Sequence, residues 1–351
     1  MIREKIIENV GIIYLDRPEI INSLNMEMVK DIEKILKKWE DDKKIKAILF
    51  DSLCQKGFCA GGDLKSIYYD YLLNDKCKNK DEFYEEEFVL DKYVKDYKKP
   101  IISHYFGIVM GGGIGLTVNS DFIIADESVN WAMPETRLGF VPDVGVCKHI
   151  SKLPQALGQY LGLCGESLSS SDLIKYDLAD IYIKSKNYDK VLNILFSLSK
   201  KYDGEKLIEE LKKQTQKYKV LDTNSKISKN KEKLEKYFAH SSIEEILKSL
   251  EENKDDDFAK KTLENLKERN LFMLFLQFEK YFICKNLTKD QVFDLDLKIL
   301  KYARKTGTMK EGIRSLIIDK ESPNWKEKSL DQVSVEKMKS LLGIEKLYKE
   351  R

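Results

Sequence analysis

The sequence predicts an α/β fold with a helical C-terminal part. Three features carry that expectation: a strand, glycine turn and helix in succession over 45–64, the same succession over 101–118, and a change after residue 150 to leucine- and lysine-rich helical segments with few glycines. In chain order, KIIENVGIIYL (5–15) forms a hairpin, and Asp16-Arg17-Pro18 ends its second strand because proline offers no N–H to a ladder. A helix follows from about Met26, with Val29, Ile32, Leu36 and Trp39 at spacings of three and four on one buried stripe. IKAILFDS (45–52) is a short buried strand, Gly57 to Asp63 the turn after it, and Leu64 opens a helix. Residues 75–99 form a highly charged helix with Phe83, Tyr84, Phe88, Leu90 and Tyr93 as its packed face, and Glu85, Glu86 and Glu87 as a solvated charge run. Ile101, Ile102 and Ile108–Met110 lead into Gly111, Gly112 and Gly113, and a helical stretch runs through Ile114, Leu116 and Val118. Further on, DTNSKISKNKEKLE (222–235) is polar enough to be a mobile linker.

A chain of 351 residues, 42% hydrophobic, can bury a full core as one large domain with an appendage or as two lobes. Its 61 basic and 59 acidic side chains nearly cancel, to +2, which gives no global reason to bind nucleic acid or an acidic membrane. Six cysteines without a CxxC pair fit reduced thiols, and with only three histidines neither disulfides nor a zinc site is expected. No run approaches the roughly 18 apolar residues of a membrane-spanning helix. The opening MIREKIIENV mixes both charge signs and enters a strand directly, so no signal or transit peptide is expected there.

The chemistry concentrates at 107–145. A glycine turn that opens a helix leaves backbone N–H groups unpaired, with the positive end of the helix dipole behind them, and so suits an oxygen carrying negative charge. The dinucleotide fingerprint fails here because Leu116 stands where its third glycine would be, and no Gly-Lys-Ser/Thr follows to make a phosphate loop. Two such turns, at 60–63 and 111–113, can instead supply two donors to one oxygen, as an oxyanion of a tetrahedral or enolate intermediate requires. Glu135 and Asp143 follow, each behind a proline. Plainer uses stand beside these: a structural turn for the glycines, a helix-end cap for Glu135, a turn residue for Asp143. His104 and His149 lie beside apolar runs and are expected to be packed or hydrogen-bonded. Cys59, inside the first turn, serves by its small size or as a reactive thiol.

Phe58-Cys59-Ala60-Gly61-Gly62-Asp63, Met110-Gly111-Gly112-Gly113-Ile114-Gly115-Leu116, Ala132-Met133-Pro134-Glu135-Thr136 and Phe140-Val141-Pro142-Asp143-Val144-Gly145 occur in that order. Together they resemble the enoyl-CoA hydratase/isomerase (crotonase) superfamily, and within it the 3-hydroxyisobutyryl-CoA hydrolase branch. A distal run, Glu311-Gly312-Ile313-Arg314 with Leu316, Ile318-Asp319-Lys320, Pro323 and Trp325-Lys326, is similar to that branch in particular, so the likeness covers about residues 10–330. The resemblance implies a spiral of repeated ββα units in a core over 1–185 that carries the acyl-CoA site, and a helical region over 186–351 that covers it. It implies Gly62 and Gly112 as the amide pair of the oxyanion hole, Glu135 and Asp143 as catalytic residues, and Glu87 as a further substrate-binding carboxylate beside Gly112, Glu135 and Asp143. Glu135 either attacks the carbonyl or activates a water, and Asp143 holds or protonates, its pKa raised by burial and by the neighbouring carboxylate. The hydratase branch has a first glutamate where this chain has Gly115, which disfavours water addition. Arg314 pairs with an acidic side chain or with CoA phosphates, and Lys65 is a second phosphate candidate. After Val144-Gly145 the branch continues with glycines, whereas this chain has Val146-Cys147-Lys148, a departure that bears on the acyl group accepted.

The expected activity is hydrolysis of a short 3-hydroxyacyl-CoA, 3-hydroxyisobutyryl-CoA in valine catabolism foremost, with no cofactor or metal beyond the CoA of the substrate. The alternatives are an enoyl-CoA hydratase/isomerase and a non-catalytic paralogue associated with mitochondrial ribosomes. An acyl-CoA is the expected partner, with no nucleic acid and no membrane, and assembly as a homo-oligomer stays open. The resemblance implies a mitochondrial location, with the cytoplasm as the alternative.

Overall fold

The computed structural model describes residues 1–222 and 224–350. Among the described residues nine strands form two sheets: β1 (Ile2–Ile7), β2 (Val10–Leu15), β3 (Ala47–Ser52), β4 (Gly57–Cys59), β5 (Ile101–Tyr105), β6 (Ile108–Met110), β7 (Phe122–Asp126), β8 (Asn130–Ala132) and β9 (Ile181–Ile183). The larger sheet runs β1-β2-β3-β5-β7-β9 and the smaller β4-β6-β8. In the larger sheet β1 and β2 pair antiparallel, and the β2-β3, β3-β5, β5-β7 and β7-β9 pairs are parallel. Each of β3, β5 and β7 is thus followed by a short strand of the smaller sheet and then by a helical turn, at Leu64, Gly112 and Glu135. These are the repeated ββα units.

The chain clusters into two compact units, each assembled from separated stretches. The first takes Met1–Asp63, Phe83–Trp131 and Leu168–Lys229; the second takes Leu64–Glu82, Ala132–Ser167 and Asn230–Arg351. This cuts the chain differently from a division at residue 185.

In the first unit β3, AILFDS, is buried almost throughout, as a central parallel strand covered on both faces must be. One face of the large sheet, including Val10, Ile12, Leu49, Ile102, Ile124 and Ile181, packs on Val191, Leu195 and Leu198 of helix 188–199 and Leu207 and Leu211 of helix 204–215. Helix 26–40 starts where the Asn25 side chain accepts the Met28 N–H at 3.0 Å, and buries Met28, Val29, Ile32, Leu36 and Trp39. The charged segment before β5 is helical only over 82–95. There Glu85 and Glu86 are half-buried, but Glu87 is 3% exposed, which corrects the expectation of a solvated run. Phe83, Tyr84, Glu87, Phe88 and Asp91 share one helical stripe, so position on the helix outweighs charge. After Gly111 the helix is a single turn, Gly112–Gly115. The polar stretch 222–235 is also corrected: apart from Thr223, which lies outside the described residues, it holds helix 226–229 and the start of helix 231–238, with Ile227 and Leu234 buried.

In the second unit helix 271–284, LFMLFLQFEKYFIC, is buried from Phe272 to Cys284 and touches helices 147–150, 155–164, 243–251 and 335–342. A helix apolar on all sides belongs in the middle of such a bundle. Helix 289–306 begins with a capping box of Thr288 and Gln291 and ends at Gly307 in the left-handed region. Arg304 grips Asp81 with Nε and Nη2, tying the 64–82 stretch to this helix. Among the described residues no helix is long and apolar enough to cross a membrane.

Candidate active site

The first unit supplies a pair of backbone donors. Gly61–Asp63 leans on Leu24, which donates to the Gly61 carbonyl at 2.8 Å and accepts from the Asp63 N–H at 2.7 Å, leaving the Gly62 N–H out of that ladder. Gly112 is the first residue of its helical turn, where an N–H has no carbonyl one turn back. The two turns lie together: a Cβ built on Gly61 would stand 3.5 Å from the Gly112 nitrogen and 3.3 Å from the Met110 carbonyl oxygen. Glu87 lies against the same turn, its Oε1 2.1 Å from where a Cβ on Gly112 would be. A side chain at 112 would therefore have to displace the Glu87 carboxyl. Cys59 sits behind Gly113, and its Sγ is 3.1 Å from the Asn22 carbonyl. Burial first, and the charges of Glu87 and Asp91 after it, push its thiol up to about 12, so it stays protonated and acts by its size rather than as a nucleophile.

The second unit supplies the carboxyl groups. Glu135 starts a 3-10 turn, Glu135–Leu138, pinned by the Thr136 hydroxyl donating to the Leu163 carbonyl at 2.9 Å. Its carboxyl is buried, and Oε2 has no hydrogen-bond partner among the described residues. The distal motif supports this turn directly. A Cβ on Gly312 would stand 2.2 Å from the backbone of Leu138, and one on Gly139 2.3 Å from the Thr308 carbonyl oxygen, so helix 308–313 meets the turn backbone to backbone. Trp325 closes the same corner and donates through Nε1 to the Glu268 carbonyl at 3.1 Å.

Asp143 is buried on a loop held at both ends. The Pro142 carbonyl accepts from Lys280 Nζ, and the Gly145 N–H donates to Asp296 Oδ2 at 2.9 Å. Lys280 and Asp296 are themselves an ion pair, both fully buried. Between the anchor points Val144 sits at φ 49, a left-handed conformation that a β-branched residue adopts only under constraint. Burial, and then the charge of Asp143, hold the Glu135 carboxyl well above the usual carboxylate range. Burial and then Asp296, partly offset by Lys280, push Asp143 up to about 8. The carboxylate raising Asp143 is thus Asp296, and the pair retains a proton at neutral pH. Cys147 stands beside this loop, its Sγ 3.6 Å from the Pro142 carbonyl.

The structure brings together Gly62, Gly112 and Glu87 in one unit and Glu135 and Asp143 in the other. Sequence reasoning missed Lys280 and Asp296; the signal was a lysine in the middle of the apolar run of helix 271–284. Arg314, left between two partners above, is taken by Glu311, Asp319 and Glu321, and Lys65 is exposed. His104 is stacked on Tyr188, ring centroids 3.6 Å apart, with Nδ1 3.1 Å from Asp51 Oδ1. Burial, with Lys289 adding to it, pushes His149 down to about 3 and keeps it neutral. Among the described residues no three His, Cys, Asp or Glu side chains are grouped to hold a metal ion.

The profile of the family described as enoyl-CoA hydratase/isomerase matches residues 10–342. A Xenopus laevis protein named 3-hydroxyisobutyryl-CoA hydrolase, mitochondrial, is 30% identical over 326 residues, spanning 92% of this chain and 84% of that one. The Homo sapiens protein of the same name is 30% identical over 330 residues, with 93% and 84% covered. Among solved structures, a carnitinyl-CoA dehydratase from Mycobacterium thermoresistibile superposes with a TM-score of 0.86 at 24% identity, covering 97% of this chain and 96% of that one. An enoyl-CoA hydratase from Rhodobacter sphaeroides superposes with a TM-score of 0.84 at 25% identity, covering 98% and 97%.

Proposed function

As the chain belongs to the enoyl-CoA hydratase/isomerase family, we propose that it hydrolyses the thioester of a short 3-hydroxyacyl-CoA, foremost 3-hydroxyisobutyryl-CoA to 3-hydroxyisobutyrate and CoA in valine breakdown. The observation that carries this reading is the burial of Glu135 and Asp143, which, with neighbouring charge, holds both carboxyls above their ordinary range. Hydrolysis needs a base or nucleophile on one side of the carbonyl and a proton for the departing thiolate on the other. Glu135 takes a proton from water as the water oxygen attacks, or attacks the carbonyl itself to give a mixed anhydride that water then opens. The C–S bond breaks and its electron pair goes to sulfur, which takes the proton held by Asp143. The Gly62 and Gly112 amides carry the charge that develops on the carbonyl oxygen, and Glu87 takes the acyl hydroxyl. No metal or redox group enters these steps. The names of the relatives support the mitochondrion as the compartment.

Purified protein is expected to release free thiol from 3-hydroxyisobutyryl-CoA, and Glu135→Gln or Asp143→Asn to reduce release by at least a hundredfold while the fold is kept. No turnover on any short 3-hydroxyacyl-CoA would overturn the reading. Single turnover in 18O-water separates the two routes, since label enters the Glu135 carboxyl only by way of the anhydride. A hydratase or isomerase reading draws support from the enoyl-CoA hydratase fold neighbour. It meets Gly115 where the hydratase branch resembled above has its first glutamate, and loss of enoyl absorbance tests it.

A further inference from the structure

We propose that a cavity of about 570 Å3 in the second unit, walled by Arg137, Arg269 and Lys320, is a binding site for a phosphate-bearing anion. Arg269 follows helix 257–267 and is 6% exposed, and Arg137 is half-buried on the 3-10 turn that begins with Glu135. The Nε of each is buried without a hydrogen-bond partner, and neither guanidinium has an ion pair among the described residues. The four other described arginines are all matched: Arg3 with Asp16, Arg17 with Asp63, Arg304 with Asp81, and Arg314 with Glu311, Asp319 and Glu321. The fold thus pairs its arginines as a rule and leaves two cations unpaired side by side at one cavity.

That arrangement is costly without a counter-charge, because burying an unpaired cation forfeits its hydration. Burial, and next the charge of Arg137, push Arg269 down to about 10. The charges of Cys164, Glu268 and Glu166 offset this only in part: Glu268 is exposed and forms no ion pair among the described residues, and Glu321 is taken by Arg314. Two planar forks and an ammonium at one opening match a phosphate monoester or diphosphate, whose oxygens accept paired N–H bonds from guanidinium. The Ser322 hydroxyl at the same wall adds a neutral donor. Such an anion comes either from the nucleotide end of a CoA thioester or from a free phosphorylated compound. Only the first source rests on the thioesterase reading; the site itself does not.

The test is calorimetric titration of the full chain with pyrophosphate, which needs no turnover. Sub-millimolar binding is expected, weakened at least tenfold in Arg269→Gln and in Arg137→Gln. Without pyrophosphate, Arg269→Gln is expected to keep or raise Tm, because it removes an unpaired buried charge; a purely structural arginine would lower it. The source follows from competition: displacement of pyrophosphate by CoA but not by pantetheine assigns the site to the nucleotide end, and simultaneous binding of CoA and pyrophosphate assigns it to a free phosphorylated compound. Absence of pyrophosphate binding at millimolar concentration, or binding undiminished in both variants, overturns the proposal.

Discussion

Asp143 works against the stability of the fold in order to hold a proton. Burial, and then Asp296, push its carboxyl from an ordinary 3.8 up to about 8. From pH 4 to pH 8 the native state therefore binds more protons there than the unfolded chain does, and stability falls as pH rises through that window. Asp143→Asn removes the ionisation. It is expected to raise Tm over the parent at pH 8, with the difference shrinking towards pH 5, while thiol release is lost. In the parent, kcat/KM for thiol release is expected to decline above about pH 8. Gly112 is constrained by space in the same way that Asp143 is by charge. Gly112→Ala drives a methyl into the Glu87 carboxyl and should cost about 1–3 kcal/mol by the usual scale of overpacking. Chemical denaturation of Gly112→Ala with and without Glu87→Ala checks this, because truncating Glu87 should recover most of the loss if that contact is the cause.

At the level of elements, the Asp143 loop owes its shape to helices far along the chain. Lys280 is 138 residues from Pro142 and Asp296 is 151 from Gly145, yet together they hold both ends of the loop. Lys280→Met leaves Asp296 as an unpaired buried charge and the Pro142 carbonyl without its donor, a loss of about 3–5 kcal/mol by the scale of broken buried pairs. Lys280→Met with Asp296→Leu should recover much of that stability but not the activity, as urea unfolding and thiol release on the two variants will show. This clamp was not legible in the sequence because an ion pair between distant helices leaves no local pattern. What surrounds it was: glycine turns, prolines before the acids, and the distal motif all carry their meaning within a few residues. Glu87 lay between these cases. Its helical stripe with Phe83, Tyr84 and Asp91 pointed inward, while the charge run 85–87 pointed outward, and packing prevailed. The polar 222–235 stretch misled similarly, since Ile227 and Leu234 are apolar enough to anchor two short helices.

For the whole molecule, the α/β class was legible from two strand–glycine turn–helix passages, whereas the ββα succession came only with the resemblance. The third passage, through β7 and β8 to Glu135, and the late strand β9 were not legible, because parallel strands buried on both faces show no alternation. Near-neutral charge has a consequence at this scale as well. With 61 basic against 59 acidic side chains, retention on a polyanion column should end at low salt, and the chain should not sediment with ribosomal particles. Co-sedimentation would favour the non-catalytic paralogue over the enzyme.

The interleaving of the two compact units sets the order in which they become complete during synthesis. The first lacks β9 and helices 188–199 and 204–215 until its last stretch, ending at Lys229, has emerged from the ribosome, and the second waits for the end of the chain. At about 5–20 residues per second, the strands of the early sheet stand exposed for several seconds before their covering helices arrive. Nascent chains stalled near residue 185 should therefore recruit chaperones more strongly than chains stalled beyond 229, although by then every strand of both sheets has been translated.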